Sequence, residues 1–218
     1  ISASLENVGF EVKTLLNLDQ KSMKLAIEEF GMRLKEVGPK AVGVFYYAGH
    51  GIQVDGQNYL IPIASDIRIK IDIREKAIKA SFVLREISSA GNNMNLFILD
   101  TCRENKSTNR GRLGIQGFKK MDAPAGSMVA FSTGSGNLAK DGPPGGNSPY
   151  SKALAEFIST PGLTVEEVFK NTRVKVMAKT NKRQIPREDS SLTSDFSFVP
   201  INKKVGPEGP GDPLPSNS

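Results

Sequence analysis

The clearest indication of the fold is the sequence Asn95-Leu96-Phe97-Ile98-Leu99-Asp100-Thr101-Cys102. Its apolar run is continuous instead of alternating, which is typical of a strand covered on both faces. A helical pattern over 80–90 precedes it and ends at Gly91-Asn92-Asn93. This order indicates a helix-to-strand crossover and places Cys102 just beyond the end of a buried strand.

The rest of the chain alternates between strand-like and helix-like patterns, so the sequence predicts an α/β domain. A hairpin is expected over 51–61, because Asp55-Gly56 suits a tight turn with positive φ. Ser148 and the Thr164/Glu167 pair have the positions of helix caps. Further strands are predicted at 10–16, 41–47, 128–132 and 196–199, and further helices at 23–37, from Pro149 and from Thr164 to Lys179.

The composition is that of one soluble globular domain. The chain has 218 residues, 38% of them hydrophobic and 24% charged, and no apolar run approaches the roughly 20 residues of a membrane span. We expect one domain over 1–202 and a Pro/Gly-rich linker or disordered tail over 203–218. No signal peptide is evident, and a single cysteine fits a reducing compartment, so a cytoplasmic location is expected.

Cys102 and His50 are the chain's only cysteine and histidine, and each is predicted just past the end of a strand. A thiolate attacks carbonyl groups far better than a thiol, so a cysteine enzyme needs a nearby base. The Gly51 amide, beside His50, is a candidate for holding a developing oxyanion. A buried thiol and a loop histidine are the usual structural roles of such residues. The two strand-end positions favour a nucleophile and its base instead.

Other motif-based interpretations fail on spacing. A phosphatase loop requires arginine where this chain has Thr108. One cysteine and one histidine without clustered carboxylates do not suit a metal site, so we predict no metal and no cofactor. The segment 134–139 matches a loose dinucleotide fingerprint, but Pro and Gly residues follow where a helix should begin.

The segment 103–120 carries six basic residues and one acid. Such a cluster can contact nucleic acid. Its glycines deny it a helix and aromatic residues are almost absent, so an exposed loop is the favoured interpretation. We predict neither a nucleic acid nor a membrane as a partner.

Two motifs resemble those of the caspase-like cysteine peptidases, and among them the paracaspases and the bacterial orthocaspases. Tyr46-Tyr47-Ala48-Gly49-His50-Gly51 is similar to the family's histidine motif, and Leu99-Asp100-Thr101-Cys102-Arg103 to its cysteine motif. The 52 positions from His50 to Cys102 agree with the roughly 50 expected for caspases. The segments at 131–133, 141–142 and 147–150 are similar to the start of the small subunit in bacterial members.

The resemblance implies a three-layer fold around a mostly parallel six-stranded sheet. The family's first strand, which is central in that sheet, would precede Ile1. A sheet without a central strand leaves backbone groups unpaired. We therefore expect this N-terminal segment to be bound as a separate piece or to lie outside the given sequence.

The chain departs from the caspases proper, which cleave after aspartate. Asp100 stands two positions before Cys102, and Asp141 aligns with an arginine of the caspase specificity pocket. Two carboxylates in a partly desolvated pocket favour a basic side chain, so we predict cleavage after arginine or lysine. A strand-end cap for Asp100 and a turn residue for Asp141 are the simpler structural roles.

The resemblance also raises the questions of calcium dependence and of self-cleavage. Metacaspases usually carry an acidic insertion after the histidine strand, whereas residues 53–57 contain one acid, so calcium-independent activity is predicted. Family members can be cut during maturation between the nucleophile strand and the next strand. Candidate self-cleavage sites in this loop are Lys106, Arg110, Arg112, Lys119 and Lys120.

Three functional hypotheses result. The leading one is a cysteine endopeptidase in which His50 assists Cys102. The alternative is a catalytically inactive caspase-like module that binds other proteins, which the intact Cys102 and His50 disfavour. A third is a thiol acyltransferase or another non-peptidase hydrolase that uses the same pair.

Overall fold

The computed structural model describes residues 1–102, 118–134, 139, 142–143 and 146–201. In these ranges no helix is long and apolar enough to cross a membrane. The helices of the described residues are α1 (Ser2–Asn7), α2 (Gln20–Val37), α3 (Lys70–Lys76), α4 (Ala80–Ser88), α5 (Pro149–Ile158) and α6 (Val165–Lys179). Their strands are β1 (Val42–Val54), β2 (Gln57–Leu60), β3 (Ile78–Lys79), β4 (Met94–Cys102), β5 (Ser127–Phe131) and β6 (Arg187–Ser190).

The six strands form one sheet in the order β3-β2-β1-β4-β5-β6. The central ladders, β1 with β4 and β4 with β5, are parallel. The outer ladders are antiparallel. The predicted α/β fold, with a sheet that is mostly parallel in its core, is therefore confirmed.

Helices cover both faces of the sheet and make three layers. Successive side chains of a strand point to opposite faces, so Phe97 and Leu99 of β4 pack with α2 and α4, whereas Leu96 and Ile98 pack with α1, α5 and α6. All four side chains are at most 1% exposed. Burying each one stabilises the fold by about 1.5–3 kcal/mol, which is why the continuous apolar run predicts this strand well.

The turn and cap residues are found where the sequence predicts them. Asp55 and Gly56 have positive φ angles of 49° and 79° and close the hairpin between β1 and β2. Thr164 forms a capping box at the start of α6. The Ser148 side chain accepts a hydrogen bond from the backbone in the first turn of α5 and fixes that helix end near the candidate site.

Two of the strand predictions are wrong. Residues 10–16 form no strand, because no strand of the described residues lies beside them to complete a ladder. Residues 196–199 form no strand either. The rings of Phe196 and Phe198 pack on Phe10, and the Phe196 and Val199 carbonyls accept hydrogen bonds from the backbone around the start of α6. The antiparallel edge is instead β6, whose sequence Arg-Glu-Asp-Ser carries no apolar strand signal.

One edge of β1 is only partly covered. β2 pairs with β1 over Gly51–Val54, so Val42–His50 has β4 on one side and no strand of the described residues on the other. A groove of about 1270 Å³ is lined by this edge and by residues 8–16. We refer to it below as the β1 groove.

Candidate active site

Strands β1 and β4 bring His50 and Cys102 side by side. Their Cα atoms are partners in the parallel ladder, which runs from Val42 opposite Met94 to His50 opposite Cys102. Neighbouring strands lie about 4.8 Å apart, so the two backbones are adjacent. The sequence predicts both residues beyond their strands, whereas the strands continue through them. The pair occupies the last step of the ladder because hydrogen bonding persists to that point.

His50 stands where β1 changes partner from β4 to β2. The residue is exposed, and its carbonyl accepts a hydrogen bond from the Ile61 amide at 2.9 Å. The Tyr47 hydroxyl lies 2.9 Å from the His50 carbonyl and 3.1 Å from the Ile61 carbonyl. Burial raises the pKa of Tyr47 to about 12, so its hydroxyl remains a donor at neutral pH. These contacts fix the backbone of His50.

Close packing requires glycine on both sides of His50. A Cβ atom on Gly49 would lie 2.7 Å from the Tyr47 hydroxyl, and one on Gly51 would lie 2.3 Å from the Phe118 ring. Both distances are shorter than van der Waals contact. The glycines therefore let Tyr47 and Phe118 approach the backbone that carries His50.

Asp100 is a buried carboxylate near the end of β4, with 3% of its surface exposed. Its Oδ2 accepts hydrogen bonds from the Ser148 and Ser151 hydroxyls, at 2.6 Å each, and from the Tyr46 hydroxyl at 3.2 Å. Its Oδ1 is buried and has no hydrogen-bond partner among the described residues. An unpartnered buried carboxylate oxygen is unfavourable, so this oxygen suits a cationic ligand that supplies a donor.

The β1 groove reaches both Asp100 and His50. At this end its lining also includes Gly142, Ser148 and Ser151. A polypeptide in the groove can therefore contact the buried carboxylate and the exposed histidine at once. Such an arrangement can hold a basic side chain beside a reacting peptide bond.

The acidic residue of the hairpin forms ion pairs with two neighbouring basic side chains. Asp55 lies 2.8 Å from Arg74 and 3.3 Å from Lys70. Hydrogen bonds from these two side chains lower the pKa of Asp55. Within the described part of the chain, no group of three or more His, Cys, Asp or Glu residues could hold a metal ion.

Two of the candidate self-cleavage residues are described: Lys119 is held by its backbone and Lys120 by its side chain. The Lys119 amide donates to Asn58 Oδ1 at 2.8 Å, and its carbonyl accepts from Asn58 Nδ2 at 2.7 Å. Lys120 Nζ lies 2.6 Å from Asp189. The remaining candidates Lys106, Arg110 and Arg112, together with Asp141, lie outside the described residues.

Most of the residues that hold these groups are not evident from the sequence. Its patterns indicate only a helix cap at Ser148 and predict no role for Tyr46, Ser151 or Phe118. Ser151 could have been found, because it lies in the first helical turn beside its cap. The contact of Phe118 with Gly51 has no local signal, since the two residues are far apart in sequence.

Comparison with known proteins agrees with these motifs. A family model described as the caspase domain matches residues 1–197. The human mucosa-associated lymphoid tissue lymphoma translocation protein 1 is 28% identical over 100 residues, and so is its mouse homolog. Each match covers 46% of this chain and 11% of the relative, so the chain spans only a small part of these proteins' length.

Proposed function

The chain belongs to the caspase domain family, and on that premise we propose that it is a cysteine endopeptidase that cleaves after arginine or lysine. The observation that carries the proposal is the ladder pairing of His50 with Cys102. This pairing sets the backbone of the chain's only histidine next to that of its only cysteine. In this proposal the peptidase domain covers 1–202, followed by a linker or tail, and the reduced cysteine fits a cytoplasmic location.

The proposed reaction proceeds in two halves. His50 takes the proton of the Cys102 thiol, and the thiolate attacks the carbonyl carbon of the scissile bond. The Gly51 amide donates to the oxyanion as the tetrahedral intermediate forms. When the carbon–nitrogen bond breaks, the imidazolium returns its proton to the leaving amine. Water, deprotonated by His50, then hydrolyses the thioester and restores the thiol.

Asp100 supports the proposed preference for a basic side chain. Three hydroxyls satisfy its Oδ2, whereas Oδ1 lacks a donor among the described residues. A guanidinium or ammonium group would supply that donor together with a compensating charge. We assign Asp141 to the same pocket from the sequence alone.

Calcium-independent activity and self-processing are parts of the same proposal. Asp55, the only acid within 53–57, is already engaged by Lys70 and Arg74. Self-cleavage is proposed for Lys106, Arg110 or Arg112. It is disfavoured at Lys119, because both backbone groups of that residue are bonded to Asn58.

We further propose that the β1 groove holds an extended polypeptide segment as an additional strand. Val42–His50 presents one edge of the sheet to the groove, and Val44, Phe10 and Val12 supply half-buried apolar side chains beside it. An added strand would pair with the backbone groups on this edge. The N-terminal segment expected from the family resemblance is the proposed occupant of this groove away from the Asp100 and His50 end, which the proposed function reserves for the substrate.

The experiment that tests the activity compares fluorogenic peptides ending in Arg, Lys or Asp. The full chain and its Cys102→Ala variant are assayed with and without a calcium chelator. We expect turnover of the Arg and Lys peptides, insensitivity to the chelator, and a loss on the order of 10³-fold or more in the variant. Turnover of the Asp peptide alone contradicts the proposed specificity. Absence of all turnover favours the binding module.

A further inference from the structure

We propose that Ser148, the N-cap of α5, and Ser151, in its first turn, are positioning residues that orient the Asp100 carboxylate toward a basic substrate side chain. This inference rests on the proposed function, since it concerns how the same pocket selects its substrate. Neither serine has to touch the substrate. Both act through Asp100.

The hydroxyls around Asp100 converge on one of its two oxygens. Ser148 Oγ and Ser151 Oγ lie 2.6 Å from Oδ2, and the Tyr46 hydroxyl lies 2.7 Å from Ser151 Oγ. Donors on one oxygen stop the carboxylate from rotating about its terminal bond, whose torsion is otherwise broad. Oδ1 is thereby kept free of internal donors in the described part of the chain.

The Ser148 hydroxyl can serve the cap and the carboxylate at the same time. Its oxygen accepts the Ser151 amide at 2.9 Å, which leaves its hydrogen available to donate. Ser151 is 7% exposed, so its hydroxyl is withdrawn from solvent and directed at Asp100. The carboxylate also lies at the N-terminal end of the ten-residue helix α5, where the helix dipole is positive.

Loss of the Ser151 hydroxyl therefore removes a donor from Oδ2 and frees the carboxylate to turn. The expected consequence is weaker binding of a cationic side chain with little effect on the chemical step. Ser127 provides a matched control. It is a fully buried serine on β5 whose hydroxyl has no partner among the described residues.

The test uses the full chain and its Ser151→Ala, Ser151→Thr and Ser127→Ala variants. We measure kcat and KM for paired peptides ending in arginine or in citrulline, the neutral isostere. Binding of N-acetyl-arginine amide is measured by calorimetry. We expect Ser151→Ala to raise KM for the arginine peptide about tenfold, with kcat changed less than about twofold and the citrulline peptide unaffected. Ser151→Thr keeps the hydroxyl and should restore most of the affinity, and Ser127→Ala should behave as the parent.

The outcomes separate this inference from the proposed function. If the parent cuts after arginine and Ser151→Ala behaves like Ser127→Ala, the positioning role is wrong and the function stands. If the parent binds N-acetyl-arginine amide but cuts nothing, the function is wrong, and tenfold weaker binding by Ser151→Ala still supports the positioning role. If the parent neither binds nor cuts, both are overturned. Equal losses for the arginine and citrulline peptides would indicate a general structural effect and overturn the positioning role.

Discussion

β4 ends on Cys102, and β1 carries His50 at the point where it changes partner from β4 to β2, but the two strands are held in different ways. β4 has parallel neighbours on both edges and helices on both faces. β1 has β4 on one edge, and over Val42–His50 the other edge faces the β1 groove. The core therefore fixes Asp100 and the backbone of Cys102, whereas His50 depends on local contacts of the hairpin and Tyr47. The two halves of one site can therefore differ in local stability.

The first prediction compares how much stability is lost when each of two neighbouring rings on these strands is removed. Phe45 of β1 and Phe97 of β4 are ladder partners whose ring centroids lie 5.4 Å apart. Phe97 is fully buried and Phe45 only partly, so Phe97→Ala should cost about 3–5 kcal/mol and Phe45→Ala about 1–2 kcal/mol. Urea unfolding of both variants measures these losses of unfolding free energy. Equal losses would mean that β1 is packed as firmly as β4.

The second prediction places the same substitution at both ends of β1. Gly51→Ala brings a Cβ atom against Phe118, and Gly43→Ala brings one to 2.5 Å from Asn95 Oδ1. We expect Gly51→Ala to lower kcat/KM about 100-fold, because the His50 backbone must shift from its catalytic position.

Gly43→Ala is the control, since its clash lies at the end of β1 away from His50. It should lower the unfolding midpoint and leave kcat/KM within about threefold when assayed below that midpoint. Similar activity losses in both variants would show that any strain in β1 reaches the site.

The third prediction uses the alkaline titration of Tyr47. Its pKa is raised to about 12 by burial, from an ordinary value near 10.0, so the folded state disfavours the phenolate. This pKa difference adds to the free energy of unfolding below pH 10, and the contribution is lost as the pH rises from 10 to 12. The unfolding free energy of Tyr47→Phe should therefore decrease by about 2 kcal/mol less than that of the parent between pH 10 and pH 12.

Denaturant unfolding at several pH values measures this difference. The pKa of Tyr150 is also raised by burial, so the parent curve contains both residues and only the difference between parent and variant reports Tyr47. Identical curves would show that the hydroxyl near the His50 carbonyl ionises freely.

The smallest expected effect is a difference in amide exchange between the two edges of β1. The His50 carbonyl points toward β2, and residues two apart in a strand point the same way, so the amides of Val44 and Ala48 lie on the groove side. We expect them to exchange more than about tenfold faster than those of Phe45 and Tyr47, which point toward β4. Hydrogen exchange resolved by NMR makes the comparison. Equal protection would indicate that the groove is already filled by a strand.

The sequence predicts β4 and the helices α2, α4, α5 and α6 well because their signals are local. A continuous apolar run, a capping residue and a helical repeat each act within a few residues. Residues 10–16 have the composition of a strand, but a strand also needs a neighbour, which no local pattern supplies. The short charged strand β6 is the reverse case, since pairing with β5 alone creates it.

The candidate site shows the same difference between local sequence signals and contacts made by distant parts of the chain. Motif and spacing suffice to single out His50, Cys102 and Asp100. The contacts that hold them depend on parts of the chain far away in sequence: Ser151 reaches Asp100 from α5, and Phe118 reaches Gly51 from beyond the segment 103–117. Such contacts result from the packing of whole helices and strands, so they produce no periodic pattern in the sequence.

The sequence of β6 bears on how the protein behaves at high concentration. An exposed sheet edge is a template for intermolecular pairing and aggregation unless charge or shortness discourages it. β6 reads Arg-Glu-Asp-Ser, with Glu188 bonded to Arg173 and Asp189 to Lys120, and the opposite edge strand β3 is only two residues long. The outer borders of the sheet are thus poor sites for fibril-like growth. The β1 groove lies away from these outer borders, between the Val42–His50 edge and residues 8–16.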